Sequence, residues 1–124
     1  MQKPREHLRL LTFLRDRLND IIVAINNIID DIVFGLNGQQ IVDGISYITN
    51  QHLRVRNTLD NITSNFSQTR SIAVRITDFL NSPRLNLYGY FSIFGAFNII
   101  NVNFYFSHFL DSVIRYVDNM VLFN

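Results

Sequence analysis

Residues 11–33 read LTFLRDRLNDIIVAINNIIDDIV, and the spacing of their apolar side chains decides the fold. Leu11, Leu14, Leu18, Ile21, Ile25, Ile28 and Ile32 are separated alternately by three and four residues. That spacing keeps one face of an α-helix apolar and is the seam of a helix packed on another helix; a strand has a period of two. Ile22 and Ile29 widen the stripe, which predicts burial on more than one side. A second series follows: Ile41, Ile45, Ile48, His52, Val55, Leu59, Ile62, Phe66, Thr69, Ala73, Ile76 and Leu80. It alternates four and three in the same way and predicts a second, longer helix.

Between the two series lies Phe34-Gly35-Leu36-Asn37-Gly38, where Gly35, Asn37 and Gly38 tolerate the left-handed backbone that ends a helix. The chain is therefore expected to turn there and fold back. In an antiparallel pair of helices, facing residues have numbers that add to a constant. A constant of about 76 to 77 sets Ile28 opposite Ile48, Ile21 opposite Val55, Leu18 opposite Leu59 and Leu11 opposite Phe66. The same register brings Asp20 toward Arg54 and Arg56, and Asp60 toward Arg15 and Arg17. Ser82-Pro83 ends the second helix, since proline disfavours helix in its predecessor and has no N–H to donate.

The predicted fold class is all-α: a long antiparallel, coiled-coil-like helical hairpin plus a hydrophobic, aromatic-rich C-terminal helix, in a single domain 1–124. The predicted parts are helix 5–35, turn 36–40 around Gly35 and Gly38, helix 41–81, aromatic connector 84–96 and helix 97–123. At ~1.5 Å per residue, helix 41–81 should overhang its partner by roughly two turns. Its exposed seam residues Ala73, Ile76 and Leu80 would then need cover from the C-terminal segment or from another chain.

Residues 85–110, LNLYGYFSIFGAFNIINVNFYFSHFL, carry no charge. The stretch is long enough to span a bilayer, but Asn86, Asn98, Asn101, Asn103 and His108 interrupt it, and a lipid-facing amide is costly. Ile99, Val102, Phe106, Phe109, Val113, Tyr116 and Met120 step by three and four, so a third helix packed on protein is preferred over insertion and over strands. The aromatic side chains Tyr90, Phe94, Phe97, Phe104, Phe106 and Phe109 join Ala73, Ile76 and Leu80 as the candidate interface.

Composition narrows function by exclusion. Charged residues make up 17% of the 124, apolar residues 48%, and the net charge is +1. The low charged share suggests a surface partly covered by something other than water. Absence of cysteine removes disulfides, thiolate metal sites and thiol nucleophiles. His7, His52 and His108 are far apart, Asp30 and Asp31 point about 100° apart on a helix, and the single glycines form no phosphate loop. No catalytic, cofactor or metal site is expected. The aromatics lack the interleaved Lys and Arg that nucleic acid demands, so that partner is disfavoured. Charges 9, 15, 16 and 17 interrupt any secretory signal, and the two Asn-X-Ser/Thr matches at Asn61 and Asn65 are at chance level for this composition.

The charges are laid out unevenly. No Lys or Arg occurs from 18 to 53, where Asp20, Asp30, Asp31 and Asp43 lie, while Lys3, Arg5, Arg9, Arg70, Arg75 and Arg84 gather at the other end. The hairpin is expected to have an acidic tip and a basic base. The expected function is that of a structural or interaction protein, assembling with itself or with subunits of a larger complex. The Asn-, Ile- and Phe-rich composition suits a virion or an organelle complex. The alternative is a helical protein anchored in a membrane through residues 85–110.

Overall fold

The computed structural model describes residues 3–33, 38–81 and 93–123. Among them the chain is all-α: α1 (Lys3–Val33), α2 (Gly38–Asn65), a single 3-10 turn (Ser67–Thr69), α3 (Arg70–Leu80) and α4 (Ile93–Phe123). Residues 34–37, Gly35 included, lie outside the described residues, while Gly38, Gln39 and Gln40 of the predicted turn form the start of α2 instead. The C-terminal helix likewise starts at Ile93, earlier than the spacing suggested.

The first helix buries the face its sequence dictates. Leu11, Leu14, Leu18, Ile21, Ile25 and Ile28 are all in the core. Its contacts with α2 run in opposite order along the two chains: Ile28 lies against Gly44, and His7 against Phe66 and Thr69. The two helices are therefore antiparallel. A β-carbon at Gly44 would come within 3.0 Å of Ile28 Cγ1, so this glycine permits the close approach of the two backbones.

The second helix does not continue to residue 81. It ends at Asn65, and Phe66 takes an extended backbone (φ −133°, ψ 92°). The sequence there, Asn61-Ile62-Thr63-Ser64-Asn65, supplies side chains that compete for backbone groups. Asn65 Nδ2 donates to the Asn61 carbonyl (3.0 Å) and to Asn61 Oδ1 (2.7 Å), taking up the acceptor of the final turn. After the 3-10 turn the chain reverses, and α3 runs back along α2. Two hydrogen bonds fix this return: Arg70 Nε donates to the Thr63 carbonyl (2.8 Å), and Arg56 Nη2 to the Leu80 carbonyl (3.0 Å). The second of these caps the negative end of α3 with a guanidinium. The expected overhang thus does not exist. Ala73, Ile76 and Leu80 are covered by the chain itself. The helix closes at Asn81, just ahead of Ser82-Pro83, as proline requires.

The fourth helix packs on α1 as extensively as α2 does. Asn103 Nδ2 donates to Asn26 Oδ1 (2.7 Å), while Phe109, further along, meets Phe79 of α3 (ring centroids 5.3 Å). Phe79 is level with Arg56 and therefore nearer the base than Asn26. So α4 descends from tip to base, antiparallel to α1. Val102, Phe106, Phe109, Val113 and Val117 fill the core from this side, Val117 in place of the expected Tyr116. Among the described residues the base half is built of four helices and the tip half of three.

The expected cross-hairpin ion pairs are replaced by local ones. Arg17 pairs with Asp20 (2.9 Å) and Arg15 with Asp16 (3.1 Å), both within α1. The first pair is one turn apart and the second is between sequence neighbours, so neither bridges two helices, and such surface pairs contribute only about 0–1 kcal/mol.

Two measurements check this fold. Spin labels at exposed Asn57 and Asn81 should lie within about 20 Å of each other, whereas a continuous helix would hold them roughly 36 Å apart. Ile28→Asp, which buries an unpaired carboxylate beside Gly44, should lower unfolding free energy by several kcal/mol in urea titration.

Candidate functional site

His7 is buried at the reversal, its ring stacked on Phe66 (centroids 4.4 Å, interplanar angle 11°) and its Nε2 within 2.7 Å of Thr69 Oγ1. Thr69 makes no side-chain cap for α3, because its hydroxyl is spent on His7. His52 is half-buried, and its ring leans on Phe106 (5.8 Å) with no hydrogen-bond partner for its buried Nε2 among the described residues. It faces α4, and the adjacent Gln51 is the more deeply buried side chain. His108 is exposed on the outer side of α4. The three imidazoles therefore serve separate places, and no group of three His, Cys, Asp or Glu able to hold a metal ion occurs among the described residues.

Burial disfavours the charged imidazole, so His7 titrates below its ordinary value. For His52, burial and then the nearby Arg56 charge push the pKa down to about 4. Both rings are accordingly neutral in the folded chain at pH 7.

The sequence-derived interface divides sharply. Ala73 and Ile76 (0% exposed), Leu80, Phe106 (0%) and Phe109 are buried within the chain and present nothing to a partner. Tyr90 lies outside the described residues, and Phe94 and Phe97 are in α4 with side chains outside the description. Phe104 is different: it is 71% exposed, with its ring edge-on to Tyr105 (6.2 Å), which is itself 40% exposed. Tyr105 in turn touches Phe79 (5.4 Å) at the end of α3. On α2, Leu53 is 62% exposed, one turn before Arg56, whose guanidinium holds the end of α3. Phe79, Tyr105 and Phe104 thus form a row of rings leading outward from the C-terminal end of α3.

The sequence pattern did not reveal Leu53, since it sits off the seam and isolated exposed leucines are common. Burial of Val102, Phe106 and Phe109 against α1 and α3 also bears on residues 85–110 as an inserted segment. Among the described residues no helix is long and apolar enough to cross a membrane. No family model, no curated protein and no solved structure matches this chain.

The histidines give a pH test. A depressed folded pKa means that the unfolded chain takes up the proton first, near pH 6.5. His52 therefore contributes stability that is complete above about pH 6.5 and is lost as pH falls toward about 4. The loss should reach about 3 kcal/mol. Urea midpoints between pH 6.5 and 5, above the carboxylate range, should fall for the native chain and fall less steeply in His52→Leu, where the remaining slope belongs to His7.

Proposed function

We infer that this chain is a non-enzymatic structural subunit, a helical bundle that joins copies of itself or other subunits of a larger assembly. The observation that carries this reading is Phe104, an aromatic ring left 71% exposed on the outer side of α4. A side chain of this size gains about 2 kcal/mol when its apolar surface is removed from water. It does not stand alone: Tyr105, itself 40% exposed, abuts it and leads to Phe79. From 93 to 110 no charge breaks up the surface around it. Contiguous apolar surface of this kind marks contact with other protein. The absence of Lys and Arg from 93–114 of α4, with Arg115 its one cation among Asp111 and Asp118, argues against nucleic acid, whose backbone needs cations. The composition suits a virion or organelle complex as the setting.

Light scattering coupled to size exclusion tests the reading. The native chain should elute as a concentration-dependent oligomer, and Phe104→Asp should shift it to monomer. Because Phe104 is exposed, the substitution should change stability by no more than about 0.5 kcal/mol. A native chain that stays monomeric across the concentration range and captures no partner subunit would overturn the reading.

A further inference from the structure

The outer side of α4 carries a second row of residues at helical spacing. Phe104, His108, Asp111, Arg115 and Asp118 step by four, three, four and three, and all of them are exposed. They lie across the helix from the core seam of Val102, Phe106, Phe109, Val113 and Val117, so the row faces away from the bundle. In the sequence the next position of the row is Leu122, whose side chain lies outside the description. Spacings of four and three would let Arg115 reach Asp111 or Asp118 within the helix. It reaches neither: Asp111, Arg115 and Asp118 make no ion pair among the described residues.

The order of these residues is self-complementary. In an antiparallel pair of α4 helices whose facing numbers add to 226, Asp111 of each copy meets Arg115 of the other, and His108 meets Asp118. Phe104 then falls level with 121–122 of the other copy, where Val121 is 60% exposed. A parallel pair would set Asp111 on Asp111 and Arg115 on Arg115. Sliding the antiparallel pair by seven, so that Arg115 meets Asp118, leaves Asp111 without a cation and carries Phe104 past the end of α4. Sliding it the other way faces Arg115 with Phe104 and with no carboxylate. The helices on either side add both signs at the edges of the row. Arg75 and Asp78 are exposed on α3 just before Phe79, and Arg15 pairs with Asp16 on α1 (3.1 Å).

We propose that the outer row of α4 binds the same row of a second copy of this chain, antiparallel, in a dimer of two-fold symmetry. The contact is isologous, so each complementary pair occurs twice. Burial of Phe104 at both ends supplies the apolar part of the contact, and the charges between them set its direction and register. The row carries one carboxylate more than it has guanidinia, and that carboxylate, Asp118, is the one His108 faces. The proposal rests on the reading of the chain as an assembly subunit with Phe104 at its contact, and it names the partner and the geometry of that contact.

Sedimentation equilibrium tests the pairing, and the native chain should fit a monomer–dimer equilibrium. Asp111→Arg and Arg115→Asp should each weaken the dimer roughly tenfold or more, because each sets like charges face to face twice. The chain carrying both substitutions should recover most of the native affinity. An equimolar mixture of the two single variants should recover it too, since each supplies the charge that the other lacks. His108→Lys should tighten the dimer by placing a fixed cation opposite Asp118. Circular dichroism should show every variant folded, because these positions are exposed. If the single variants dimerise like the native chain, or the doubly substituted chain stays as weak as they are, the α4 pairing is wrong. The assembly reading then still stands if Phe104→Asp dissociates the native oligomer. A native chain that stays monomeric overturns the pairing, and the assembly reading with it if no partner subunit is captured.

Discussion

Phe66 leaving the helical backbone is the event on which the lower half of this molecule depends. Had α2 continued, Ala73, Ile76 and Leu80 would face water on an unsupported rod. With the reversal they close the base against α2 and α4, and a hairpin becomes a bundle. The corner is held by one aromatic face and one hydroxyl, both answered by His7. The first turn of α1 therefore does more than begin a helix: it locks the point where the chain doubles back, some sixty residues later in sequence.

Electrostatics plays a secondary part in holding the fold and a larger one in describing its surface. Among the described residues the three ion pairs lie within α1 and are partly or wholly exposed, so they add little to stability. The charged contacts that span two helices are guanidinia on carbonyls, Arg56 on Leu80 and Arg70 on Thr63, and they work on helix ends rather than on carboxylates. Stability is left to the apolar layers, which frees the guanidinia to gather toward the base, among carboxylates such as Glu6, Asp60 and Asp118.

The all-helical class and the core of α1 were legible in the sequence because a two-sided apolar stripe admits few packings. The direction of α1 against α2 could also be read, from matching positions. The reversal at Phe66 could not, for a physical reason. Seam residues Ile62, Phe66, Thr69, Ala73 and Ile76 keep their alternation through the break, since a helix that folds back still turns the same face to the core. Only the run of Asn, Thr and Ser at 61–65 hinted at a stop, and short polar residues on an exposed face are too common to force one. The interface suffered from the same ambiguity: periodicity marks a residue as buried without saying by which chain. Of its members with described side chains, only Phe104 faces outward, and it is the one that falls off the α4 seam.

The change from four helices at the base to three at the tip has a consequence for how cohesion is distributed. A helix with fewer neighbours surrenders less apolar contact when it parts from them, so opening should start at the acidic end and spread downward. The base then acts as the anvil of the molecule and the tip as its yielding part.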